Sequence, residues 1–250
     1  MLVSGDCTVI LTPSGKSVII DTGEQENIIV KYLLNRGIKD IDYLMLSHFD
    51  SDHCGQTVEI LESLKVRNIV ISKQAEKSQE FESIMKEVIE HKVNIIIVEA
   101  GDILQIEKDV YFQILWPSTD ELIKENALNN NSIVAKMYYK DFSMLFTGDI
   151  EEIAEQKIVK RYDEIILKST VLKVPHHGSK TSSTEDFIKK IKSQIALIGV
   201  GKDNKFGHPN EDVIKRLQAY GNSIYRTDLQ GEITIEVSKS GKIEIQSIIE

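Results

Sequence analysis

The sequence has few cysteines and no long apolar run. Its two cysteines, Cys7 and Cys54, stand far apart and form no CxxC pair, so no disulfide framework is expected and both are read as reduced. Cys54 touches the polar cluster described below and is read as a small buried residue rather than a ligand. No apolar stretch approaches the length of a membrane span. The opening Met1-Leu2-Val3-Ser4-Gly5-Asp6 has no basic segment followed by an apolar one, so no secretory signal is legible. The expectation is a cytoplasmic protein, or else a fragment of a larger membrane protein. There is no repeat of solenoid length and no low-complexity linker. Excess positive charge is also missing. A formal net charge of −9 argues against non-specific nucleic-acid binding over the whole surface and leaves room only for a local patch. Lys173, Lys180, Lys189, Lys190, Lys192 and Lys202 gather between Lys168 and Lys205, which reads equally as a solvated face or an anion-binding one.

What is present is an ordinary globular composition, 41% hydrophobic and 28% charged over 250 residues, enough for one large core. Residues 1–250 are read as a single domain with a possible twofold repeat of similar halves. β-Branched runs at 7–11 and 17–21 flank a Pro13-Ser14-Gly15-Lys16 turn and predict a hairpin. Helical spacing covers 27–36, 56–64, 78–91, 151–161, 184–191 and 210–219. Strand-like runs occupy 42–46, 68–71, 93–98, 110–115, 171–174 and 195–200. A second hairpin joins 132–138 to 142–147. Residues 119–130 are polar and read as looped or loosely helical, and the end, at 223–226, 232–237 and 242–248, as all strand. Two mixed sheets covered by helices fit this alternation better than one parallel sheet.

The strongest chemical signal is Ser47-His48-Phe49-Asp50-Ser51-Asp52-His53-Cys54-Gly55, between an apolar strand and a helix. Imidazole and carboxylate are ligands for hard-to-borderline divalent ions. In an extended loop His48 and Asp50 point the same way and can grip one ion, while Asp52 and His53 turn toward a second. Asp149, in Phe146-Thr147-Gly148-Asp149, ends another apolar strand. Alone it reads as a helix cap; beside the first cluster it can bridge two cations. A third segment, Leu172-Lys173-Val174-Pro175-His176-His177-Gly178-Ser179, sets adjacent histidines at a strand end. His208, in Asn204-Lys205-Phe206-Gly207-His208-Pro209, lies in a further loop before a helix. Five of the six histidines thus stand at strand ends, where ligation or proton transfer accounts for them better than packing does. His91, at a helix end, is structural.

The segments SHFDSDH, FTGD, LKVPHHGS and NKFGHP, in this order, resemble the metallo-β-lactamase superfamily. More narrowly they are similar to the C-terminal hydrolase domain of the ComEC/Rec2 family of DNA-uptake proteins. Gly5-Asp6-Cys7, the IDTG ending at Gly23 and Asn129-Asn130-Asn131-Ser132 match that family too, and the match covers nearly the whole chain. Two departures stand out: the membrane-channel segments of the full competence protein are absent, and the first strand is short. The chain is therefore expected to be a stand-alone relative or a fragment.

The resemblance implies an α/β (α+β) fold, a four-layer αββα sandwich of two mixed sheets with its site at the edge between them. It implies two divalent ions. His48, Asp50 and Asp149 would hold the first. Asp52, His53, Asp149 and one of His176 and His177, with His177 favoured, would hold the second. Asp50 replaces a histidine common elsewhere in the superfamily, and Asn131 stands where another often lies. This hardens the first site, so manganese is as plausible as zinc. A water shared by two cations loses a proton near neutral pH and becomes the nucleophile. Asp52, His176 and His208 are the candidate catalytic groups, the two histidines to protonate a leaving group or hold an anion. Asn131, Lys173, Ser179 and Lys180 are candidates for substrate binding. The expected activity is a phosphodiesterase or nuclease, with single-stranded DNA as a substrate and a membrane channel as a possible partner. The alternatives are a phosphorylcholine-esterase-like or other small-ester hydrolase, and a non-catalytic metal-stabilised module. β-Lactam hydrolysis is disfavoured because first-site histidines are partly replaced.

Overall fold

A computed structural model describes residues 5–24, 28–73 and 78–249. The expected helix start at 27 lies outside them. Short apolar runs make the central strands, as buried strands require. β1 (Thr8–Leu11), β2 (Ser17–Ile20), β3 (Asp40–Met45), β4 (Lys65–Ser72) and β5 (Asn94–Val98) form one sheet in chain order. β1 and β2 are antiparallel and the rest parallel. The second sheet runs β12-β11-β10-β9-β8-β7-β6. Its strands are β6 (Ile103–Glu107), β7 (Val110–Trp116), β8 (Val134–Tyr139), β9 (Phe142–Phe146), β10 (Val171–Lys173), β11 (Ile195–Ile198) and β12 (Ser223–Arg226). It is antiparallel from β6 to β9 and parallel from β9 to β12.

Three apolar clusters define four layers. Val18, Met45 and Val70 of the first sheet meet Phe112, Ala135 and Phe146 of the second between the sheets. The outer face of the first sheet is covered by α1 (Ile28–Asn35), α3 (Thr57–Ser63) and α4 (Gln79–Glu90), whose Leu33, Ile60 and Val88 face it. α6 (Glu152–Arg161), α8 (Glu185–Ile191) and α9 (Glu211–Ala219) cover the second through Ile158, Phe187 and Leu217. The expected αββα sandwich of two mixed sheets is present. Fully burying each such side chain contributes roughly 1.5–3 kcal/mol.

Three elements differ from the sequence reading. The sequence pattern predicts no element between 98 and 110, yet the ILQIE alternation of β6 sends Leu104 and Ile106 inward and pairs it with β7. Inside the 47–55 loop, Ser51–Cys54 form a short helical turn, α2. The tail is not all strand: α10 (Thr227–Gln230) follows β12, because Thr227 Oγ1 bonds both polar backbone atoms of Val200. The last two strands, β13 (Ile233–Val237) and β14 (Ile243–Ser247), form a separate hairpin whose Ile235 and Ile245 pack on the inner core. In the 119–130 region, α5 (Ala127–Asn130) is one turn, and α7 (Glu164–Leu167) is another after α6. Among the described residues no helix is long and apolar enough to cross a membrane.

Candidate metal centre

Parallel strands deliver their C-terminal ends to one rim, and the chemistry-bearing residues sit there. Asp21 follows β2, Ser47 and His48 follow β3, Asp149 follows β9, and His176 and His177 follow β10. Asp6 joins them from the opposite chain direction, since β1 is antiparallel to β2 and its start lies beside the end of β2. The rim is laced across the two sheets: Ile133 N donates to Ser47 O at 2.8 Å. The turn α2 then swings Asp52 and His53 inward, with His53 N donating to Asp50 O at 2.9 Å.

Three imidazoles present their Nε2 atoms to the same space. Asp21 accepts from Ser47 N at 2.7 Å, Ser47 Oγ at 2.8 Å and His53 Nδ1 at 2.9 Å. The Ser47 hydroxyl, its proton committed to Asp21, accepts from His48 Nδ1 at 3.0 Å. His177 Nδ1 donates to Gly199 O at 2.7 Å. Such outer partners fix the tautomer and leave each Nε2 as a lone pair. His53 Nε2 lies 3.1 Å from Asp149 Oδ1 and 3.4 Å from His177 Nε2. His177 Nε2 lies 3.0 Å from Asp52 Oδ2 and 3.4 Å from Asp149 Oδ2. His48 Nε2 is 3.6 Å from Asp50 Oδ2. His48 Nε2 and Asp149 Oδ1 are buried without an aligned hydrogen-bond partner. Lone pairs gathered in this way require positive charge among them: protons on the imidazoles, or divalent cations. Asp6, His53, Asp149 and His177, all buried, each offer one ligand atom within 4.8 Å of the others. The donor set fits divalent ions.

The electrostatics carry the same imprint. Burial would lower the His53 pKa, but Asp149 and Asp21 hold it well above the ordinary value. Burial is likewise outweighed at His177, where Asp149, Asp6 and the bond to Asp52 raise it to about 9. At Asp52 burial opposes ionisation, yet the His177 hydrogen bond and the neighbouring imidazoles bring the carboxyl down to about 2. His208 moves the other way, lowered by burial and by His176 and His177.

Backbone strain marks this rim. His176 and His177 adopt left-handed conformations at φ 50° and 52°, which for non-glycine residues cost about 1–3 kcal/mol each. Gly148 also has a positive φ, and a Cβ there would stand 2.6 Å from Ser132 Cβ. At Gly199 a Cβ would lie 1.9 Å from Asp6 Oδ1, so the bare backbone lets that carboxylate approach His177.

The six expected ligands, His48, Asp50, Asp52, His53, Asp149 and His177, come together. His176 stands beside them, its Nε2 3.8 Å from Asp149 and its Nδ1 3.4 Å from Glu151. The His208 ring centre is 5.6 Å from that of His176. Three substrate-binding expectations need correction. Asn131 is fully buried, its amide bonded to Ile123 N, Ile123 O and Ala127 O, so it staples a loop. Lys173 is buried and pairs with Asp6 at 2.5 Å, so it is not free to bind phosphate. Ser179 is buried, and its hydroxyl bonds Thr181. Lys180 alone of the four is exposed. Nor do the lysines form one face: Lys190 bonds Val159 O and Tyr162 O, and Lys192 pairs with Glu164 at 2.7 Å. Cys54 lies in the outer core and is no ligand, its thiol pushed up by burial. Sequence reading quoted Asp6 and Asp21 only as motif letters. The hint was an Asp at the end of a buried strand, whose carboxyl needs a partner.

A family model described as the metallo-beta-lactamase superfamily matches residues 2–202. The chain belongs to this superfamily. It is 36% identical over 208 residues to ComE operon protein 3 of Bacillus subtilis, covering 83% of this chain and 26% of that protein. It is 27% identical over 244 residues to Recombination protein 2 of Haemophilus influenzae, covering 95% of this chain and 28% of that protein. The chain therefore spans about a quarter of the length of each. Among solved structures, CmlA, a diiron β-hydroxylase from Streptomyces venezuelae, superposes with a TM-score of 0.60 at 14% identity, over 89% of this chain and 51% of that one. This likeness concerns the fold. The chain is thus a member of this superfamily with a buried Asp/His cluster that forms a potential metal site.

Proposed function

We propose that the protein is a two-metal phosphodiesterase acting on single-stranded DNA, with residues 1–250 working as one hydrolase domain. The observation that carries this reading is the convergence of His53 Nε2 and His177 Nε2 with the carboxylates of Asp52 and Asp149, next to the buried, unpartnered Nε2 of His48. His48, Asp50 and Asp149 form one ligand group, and Asp52, His53, Asp149 and His177 the other. Carboxylate at Asp50 makes the first group oxygen-rich, which suits manganese as well as zinc. Bound divalent ions supply an activated water and neutralise charge on a phosphoryl oxygen.

The chain's own groups do the rest. Asp21 and Ser47 hold His53 and His48 in the ligating tautomer. Asp6, locked by Lys173, braces His177 from below, its Oδ1 3.7 Å from Nδ1. Asp52, held ionised, orients the attacking water. His176, between Asp149 and Glu151, hands a proton to the leaving oxygen. His208, kept neutral by its surroundings, donates N–H to a phosphoryl oxygen. A membrane-channel partner belongs to the same reading, which rests on the resemblance to DNA-uptake proteins and on a relative named Competence protein ComA.

The test is incubation of the manganese- or zinc-loaded protein with single-stranded DNA. Cleavage that disappears in Asp149→Ala is expected; inertness toward every nucleic acid and model phosphodiester removes the reading. A small-ester hydrolase is the second reading, favoured by the net charge of −9. Turnover of chromogenic small esters or lactones with no cleavage of DNA would select it.

A further inference from the structure

Phe206 is the only exposed aromatic side chain among the described residues, with 78% of its surface open. The tyrosines that also suggested base stacking are otherwise engaged. Tyr139 is buried in the inner core, and Tyr138 stacks on Tyr111 at 4.8 Å. The loop that carries Phe206 is not loosely attached. Asn204 Nδ2 donates to His208 O at 2.7 Å and to Gly201 O at 3.2 Å, while its Oδ1 accepts from His208 N at 2.9 Å. Asn210 N donates to Gly178 O at 2.8 Å, so the loop is fastened to the histidine pair's own turn. The rings form a staircase. Phe206 lies 5.8 Å from His208 at 18° between planes, and His208 lies 6.5 Å from His177 at 21°. Two ring-to-ring steps therefore lead from a ligand of the metal centre to an open aromatic face.

In the chain Phe206 is bordered by Lys202, Asp203 and Lys205, all exposed. An open ring in a stretch that carries two exposed lysines, beside a centre whose donors suit divalent cations, matches a ligand that is part π-face and part phosphate. We infer that Phe206 is a stacking shelf for an unpaired nucleobase next to the phosphodiester held at the metal centre, and so sets a preference for single-stranded nucleic acid over small phosphodiesters. The inference rests on the phosphodiesterase reading and adds the determinant that recognises the substrate. A base paired within a duplex has no free face to offer, whereas every unpaired base does, so the preference is for strandedness rather than sequence.

The experiment compares binding of two short strands to the manganese-loaded protein by fluorescence anisotropy. One is a base-bearing single-stranded phosphorothioate oligonucleotide, the other the same backbone built of abasic units. The native protein is expected to bind the base-bearing strand about 5- to 150-fold more tightly. Phe206→Ala should collapse that ratio toward one, and Phe206→Trp should restore it. Because the side chain is exposed, neither change threatens the fold. A ratio near one in the native protein, a ratio that survives in Phe206→Ala, or binding of neither strand overturns the shelf. Cleavage of ordinary DNA with a ratio near one keeps the phosphodiesterase and discards the shelf. A large, Phe206-dependent ratio with no cleavage keeps the shelf and discards the phosphodiesterase.

Discussion

Two of the imidazoles at the rim are doubly employed, since the lone pairs that would bind a cation also attract a proton. His177 titrates at about 9 and His53 well above its ordinary value. At pH 7 a cation must therefore displace protons from both. Metal affinity should fall as pH drops, about tenfold per pH unit below 9 for the His177 proton and more steeply where His53 is protonated as well. Calorimetry in buffers of different ionisation enthalpy should count close to two protons released at pH 7. In metal-free protein the sign reverses. The raised pKa of His177 contributes stability that is complete below about 6.5 and is lost as pH rises through about 9. The gathering of histidines at one rim was legible in the sequence because histidine is scarce and five of six stood at the ends of apolar runs. The roles of Asp6, Lys173 and Asn131 were not legible. Each depends on which residue stands opposite in space, and Asp6 reaches His177 only through the antiparallel β1–β2 pairing.

At the scale of elements, the segment that leads from the histidine turn into α8 is anchored from α6. Glu155 accepts from Ser183 N and from Thr184 N, the latter at 2.8 Å, where the chain enters α8. Burial of this carboxyl outweighs those hydrogen bonds and the nearby Arg216, and raises its pKa to about 7. The folded protein thus holds a proton that the unfolded chain releases. The resulting contribution, of order 3 kcal/mol, is complete below about 4.5 and lost as pH rises through 7. Urea midpoints measured across pH 4–8 should decline more steeply in the native protein than in Glu155→Gln. Gly199→Ala tests the other brace. Its Cβ collides with the Asp6 carboxylate, so zinc or manganese content should fall severalfold, read by elemental analysis, with the secondary structure by circular dichroism kept. Strand and helix order was readable from periodicity. β6 escaped because five alternating residues beside a polar turn look like loop until β7 is there to pair with them.

At the scale of the molecule, the β13–β14 hairpin seals the inner core through Ile235 and Ile245, which sit opposite one another in register. Ile245→Asp places a charge against that core and should destabilise the protein by about 2–4 kcal/mol. The native chain is expected to unfold in one urea transition, and a separate early transition for the tail would count against a single cooperative domain. The sheet-by-sheet assembly of the rim has a consequence for synthesis. Side chains that face one another across a few ångströms are spread from Asp6 to His208 along the chain. A ribosome-bound chain that has not yet exposed residue 177 has the first sheet's ligands but lacks the histidine that closes them. The cluster can therefore assemble only after β10 and the histidine pair that follows it have been made.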